Sequence, residues 1–233
     1  MKTFRQDIIE QIKQIEEGRI FTCRDLSYPA NKLANVAVVL SEQSKKETLV
    51  RAERGAYYRP RKSKLGLGIL PVYQDEQFRY IIQKLNGYLS GAYIYNKLGL
   101  TEQTATTITI ATPNPVRPFR FKNLEIECVK AYGDDFNDAN TILYLRLLDA
   151  LKDIKHIPGC SPYDVYDRVK RLYFATLPLE ELKKMVSLAQ KYPPRVRKIV
   201  SDMLDELHHL QLRDALAGTI LATTRFELNY KRI

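Results

Sequence analysis

The apolar residues of the N-terminal quarter change period in an order that few small folds accommodate. Over residues 3–17, Phe4, Ile8, Ile12 and Ile15 share one face of a helix, which Gly18 ends. Residues 21–26 predict a second, short helix, with Thr22 as its cap and Asp25 three residues on. Ser27-Tyr28-Pro29 is a tight break. Residues 30–46 predict a third helix, with Leu33, Val36, Ala37 and Leu40 on its core stripe. Its opposite side carries Asn31, Asn35, Val38 and Glu42, with Lys32 and Lys45 at the margins. Residues 48–51 and 56–59 read as two strands joined through Glu53-Arg54-Gly55. Three helices followed by a hairpin, with a sharp turn between the second and third, outline a winged helix-turn-helix. The third helix would be the recognition helix and the hairpin the wing. Tyr57 and Tyr58 alternate along the returning strand, so one is expected in the core and the other against a sugar–phosphate backbone.

The basic stretch from Arg59 to Gly68 contains Gly and Pro and leads to Pro71, as a linker would. The expected organisation is therefore a winged helix over residues 1–62, a linker over 63–72 and a second domain over 73–233. That second domain mixes element types. Residues 75–85 and 90–98 predict helices, and residues 106–112 predict a β-branched strand. Residues 119–130 predict a strand pair turning at Lys122-Asn123. From Asp138 onward helical stripes follow one another, the last running through Val196, Val200, Met203, Leu207 and Leu210. The fold class expected is α+β, with a small sheet and a helical C-terminal third.

Charge sharpens the functional reading. The 233 residues carry a net charge of +10, and the first 65 hold 14 basic against 8 acidic groups, more than half the excess. A cationic hairpin beside an exposed helix suits a polyanion. Asn31, Lys32 and Asn35 are placed to meet base edges in a major groove. Arg51, Arg54, Arg59, Arg61, Lys62 and Lys64 are placed to meet phosphates. Val38 and Val39, on or beside the same face, suit thymine methyls or, alternatively, a protein partner.

Signs of enzyme chemistry are sparse, and neither a cofactor nor a metal site is expected. Cys23, Cys128 and Cys160 are odd in number and far apart, which suits neither a disulfide framework nor a zinc ribbon. His208 and His209 are adjacent on the last predicted helix and point about 100° apart, poorly placed to share a metal. Residues 133–138 read as an acidic turn with an N-cap at Asp138. Glu125 and Glu127 could support a metal-dependent nuclease, but Lys130 lies on the opposite face of that strand. There is no glycine loop with phosphate-binding spacing. The opening MKTFRQDIIEQ has no apolar segment and no stretch reaches membrane-spanning length, so a cytoplasmic protein is expected.

Residues 21–26, the third helix and residues 49–58 together resemble the winged-helix start of AbiEi-type antitoxins. The likeness continues through Gly87-Tyr88-Leu89-Ser90-Gly91-Ala92-Tyr93, Asn96-Lys97-Leu98-Gly99-Leu100-Thr101-Glu102-Gln103 and Tyr192-Pro193-Pro194-Arg195-Val196-Arg197. The resemblance implies a bacterial antitoxin of an abortive-infection, type IV toxin–antitoxin system. It further implies an N-terminal domain that represses its own promoter, and a C-terminal domain that neutralises a nucleotidyltransferase-like toxin without a stable complex. A winged-helix adaptor that binds protein and no DNA is the alternative reading.

Overall fold

In a computed structural model the chain forms two compact units, Met1–Lys84 and Leu85–Ile233. The structure describes residues 2–66, 68–221 and 224. The architecture is α+β.

The first unit opens with α1 (Phe4–Gln14), set by a reciprocal capping box between Thr3 and Gln6. Strand β1 (Ile20–Thr22) and a single 3-10 turn (Cys23–Asp25) occupy the place of the expected second helix. The correction has a local cause: Thr22 is already the cap, so the residues before it remain extended and pair with a later strand. Asp25 accepts from the Thr22 amide at 2.6 Å, and the Thr22 hydroxyl accepts from the Arg24 amide at 3.2 Å. A 3-10 turn (Ala30–Lys32) runs into α2 (Leu33–Lys45). The hairpin β2 (Val50–Glu53) and β3 (Ala56–Tyr58) follows, with Gly55 at φ 81° in its turn. The sheet order is β1-β3-β2, antiparallel throughout.

Because β3 is central, both its tyrosines are covered, each 6% exposed. The expectation that one of them reaches the surface is thus corrected. Tyr57 packs with Ile8, Ile12, Val36 and Leu40 beneath α1 and α2. The unit then continues past the expected linker. Strand β4 (Arg61–Lys62) pairs antiparallel with β5 (Ile69–Leu70). Helix α3 (Gln74–Leu85) clips both edge strands. Glu76 accepts from the Ile20 amide at 2.6 Å, and Arg79 donates to the Ile20 carbonyl at 2.7 Å. Lys84 and Tyr80 both donate to Glu53 on β2. These side chains satisfy an edge that would otherwise offer itself to another strand.

The second unit holds a four-stranded sheet in the order β6-β7-β9-β8. Strand β6 (Tyr88–Ser90) leads directly into α4 (Gly91–Lys97). Strand β7 (Thr107–Thr112) runs parallel to β9 (Leu124–Lys130), and β8 (Phe119–Phe121) turns into β9 through Lys122 at φ 55°. Gly87 is required before β6, since a Cβ there would come within 2.2 Å of the Ala111 carbonyl oxygen. Helix α5 (Ala139–Lys152) begins at the predicted cap, where Asp138 accepts from the Thr141 amide at 2.7 Å. Around it gather α6 (Pro162–Leu172), α7 (Leu179–Ala189), α8 (Pro194–Glu206) and α9 (Leu210–Ala217). The last predicted stripe is split. His208 takes a left-handed φ of 61°, so α8 stops at Glu206 and α9 starts afresh at Leu210, and the two histidines lie between the helices.

Candidate nucleic-acid interface

The burial of α2 follows from where it rests. Val36, Val39, Leu40 and Gln43 face α1 and the sheet. That leaves Asn31, Ala34, Asn35, Val38, Ser41 and Lys45 along the exposed side, at the three- and four-residue steps of one helical stripe. Val38 is 58% exposed, whereas Val39 is 8% exposed and belongs to the core. The pairing of Val38 with Val39 on one outward face is therefore corrected, and so is the placing of Ala37 on the core stripe, since Ala37 is exposed. Ala34 and Ser41 were not singled out from sequence. Their spacing from Val38 is the signal that finds them.

The start of the helix is fixed from α1. Lys32 lies 5.7 Å from the centre of the Phe4 ring. Phe4 meets Tyr28 edge-on at 5.1 Å, and the Tyr28 hydroxyl donates to Asp7. Loss of solvent and that carboxylate push the Tyr28 hydroxyl up to about 12, so it remains a donor. The Ser27 amide donates to Gln11 at 3.1 Å. Glu42, expected on the outward side, is half-buried at its margin and ion-paired to Arg5 at 2.5 Å. Thr22→Ala removes the cap that sets the turn before this helix. We expect it to cost about 1 kcal/mol, read as a fall of several degrees in the Tm of the first unit.

The six cations expected at phosphates divide into two groups. Arg54 at the hairpin tip, Lys62 on β4 and Lys64 beyond it are exposed. Arg51 is also exposed, and its Nε donates to the Glu53 carbonyl at 3.2 Å. Arg59 is committed within the unit. It donates to the Lys13 and Ile15 carbonyls at 2.9 and 2.7 Å, closing the C-terminus of α1. Arg61 donates to the Pro71 carbonyl at 3.0 Å and lies 3.6 Å over the Tyr73 ring. Asn31 and Lys32, in the 3-10 turn before α2, and Asn35, in its first turn, are exposed.

Elsewhere, Glu125 and Glu127 project from the exposed side of β9, and Arg120 approaches Glu125 at 4.0 Å. Among the described residues no three His, Cys, Asp or Glu side chains converge on a common point. No described helix is long and apolar enough to cross a membrane.

Among curated proteins, none matches this chain. Among solved structures, the crystal structure of the RV2827C protein from Mycobacterium tuberculosis aligns with 93% of this chain and 81% of its own, at 15% identity and a TM-score of 0.36. The model of the DUF6088 family, a family of unknown function, matches residues 7–157, which span the first unit from its seventh residue on and the sheet of the second, and the chain belongs to that family.

Proposed function

We propose that the first unit is a winged helix-turn-helix that binds double-stranded DNA, with α2 in the major groove and the hairpin at its side. One observation carries the reading: α2 presents an exposed stripe of Asn35, Val38, Ser41 and Lys45, continued by Asn31 in the 3-10 turn before it, while its other side is built into the core. Carboxamides and small side chains on such a stripe are the groups that contact base edges. The exposed cations Arg54, Lys62 and Lys64 add the phosphate component. The three-stranded sheet with its hairpin beside α2 fits the winged form of the motif.

With the resemblance to AbiEi-type antitoxins, the function proposed is that of a bacterial cytoplasmic antitoxin that represses its own promoter. Its functional partner would be a nucleotidyltransferase-like toxin, neutralised through the second unit without a stable complex. The protein-adaptor alternative is weakened, because burial of Val39 leaves Val38 as the only large apolar side chain on the outward stripe.

The test is titration of the full chain with its own upstream DNA, beside a scrambled duplex, at two salt concentrations. Preference for the upstream DNA that weakens steeply with salt is the expected result. Equal or absent binding would discard autoregulation through α2. Rescue of growth against the neighbouring toxin gene, unaffected by Val38 or Asn35 substitutions, would separate the antitoxin role from the DNA role.

A further inference from the structure

We infer that α2 reads A·T base pairs, a specificity that rests on the DNA-binding role proposed above. The chemistry of the outward stripe narrows the choice. Arginine, the usual bidentate reader of guanine O6 and N7, is absent from α2 and from the 3-10 turn before it. The polar side chains at the start of the stripe are carboxamides, Asn31 in the 3-10 turn and Asn35 in the first turn of α2, four residues apart and both exposed. A carboxamide donates to adenine N7 and accepts from adenine N6 in one plane, a match that guanine does not offer.

The next outward position is Val38, 58% exposed, with Ala34 beside it. An exposed valine pays for no core contact in the free protein, and the apolar group a major groove presents is the thymine 5-methyl. Two lysines could in principle reach guanine. Lys32 is drawn aside over the Phe4 ring, and Lys45 sits in the last turn, away from the end of a recognition helix that meets bases. From Asn31 in the 3-10 turn to Val38 in α2 the chain rises about 11 Å, or about three base pairs of duplex. The expected core of a half-site is therefore about three consecutive A·T pairs, with adenine opposite the carboxamides and thymine under Val38.

The experiment is selection of duplexes with a randomised core by the full chain, followed by titration of the selected duplex and its analogues. An A·T core is expected. Replacing core thymine by uracil, which deletes the methyl, should weaken binding several-fold, and Val38→Ala should erase that difference. Asn35→Arg, at an exposed position that the fold tolerates, should shift the selected pair from adenine towards guanine, with about tenfold discrimination or more. A selected core containing G·C pairs, or salt-sensitive binding with no base preference, would overturn A·T reading while leaving DNA binding intact. Absence of binding even at low salt would overturn both. A thymine-to-uracil effect that persists in Val38→Ala would remove Val38 from the assignment.

Discussion

Asp149→Ala is expected to lower the Tm of the second unit by about 10 °C or more. Asp149 lies on α5 at 1% exposure, and its carboxylate is the meeting point of three hydroxyl groups. Tyr88 and Ser90, from β6, donate to one oxygen at 2.9 and 2.7 Å. Tyr192, from the turn before α8, donates to the other at 2.9 Å and also to the Leu145 carbonyl at 3.1 Å. One side chain thus ties the sheet, the central helix and the helical layer. Alanine would leave buried donors without their acceptor and open a cavity, at a cost on the order of 3–5 kcal/mol. In a unit of this size each kcal/mol moves Tm by roughly 2–4 °C.

The pH dependence gives a second readout of the same group. Burial is the dominant influence on Asp149 and raises it to about 6, against the three hydroxyl bonds that favour its charge. The folded chain therefore holds this proton more tightly than the unfolded chain does. Its contribution favours folding fully below the ordinary aspartate value near 4 and is lost as pH rises through about 6. The whole difference is worth about 3 kcal/mol. Several acids shift the other way, Glu206 among them, held down by Lys170 and Tyr166 despite its partial burial. The test is therefore the wild-type stability change between pH 7 and 5 minus that of Asp149→Asn. A gain on acidification present in wild type and missing in the variant is expected. Parallel curves would mean that Asp149 does not carry the proton.

The sequence made these elements visible to very different degrees. Long periodic segments and capped starts were plain: α1 and α2 fall within the segments their stripes predict, and Asp138 caps α5 as expected. Strands β1 and β6 were hidden because three residues complete barely one alternation, and each adjoins a stronger helical signal. The break at His208 was hidden because neither Gly nor Pro marks it, and Leu207 and Leu210 keep the helical spacing across it. Within the candidate site, the outward stripe of α2 was legible because helical geometry is local. The fate of the arginines was not. Arg59 finds its carbonyls 44 and 46 residues away, and a basic run reads the same whether its members face solvent or clasp the chain.

That distinction yields the other large effect. Arg54, Lys62 and Lys64 replaced together by Ala should weaken DNA binding at low salt by roughly one to two orders of magnitude while leaving Tm nearly unchanged. Each phosphate contact contributes about 0.9 to the slope of log K against log salt, so the slope should flatten by about 2 to 3. Arg59→Ala should do the reverse. It removes two hydrogen bonds to the C-terminal carbonyls of α1, which at about 1–3 kcal/mol lowers Tm clearly in a unit of this size. Below that Tm its salt slope should match wild type, because the guanidinium is engaged with the C-terminal carbonyls of α1. The contrast separates a surface that binds a polyanion from a surface that is merely basic. Unchanged slope in the triple variant would place the phosphate contacts elsewhere. A flattened slope in Arg59→Ala would mean that Arg59 leaves α1 when DNA is bound.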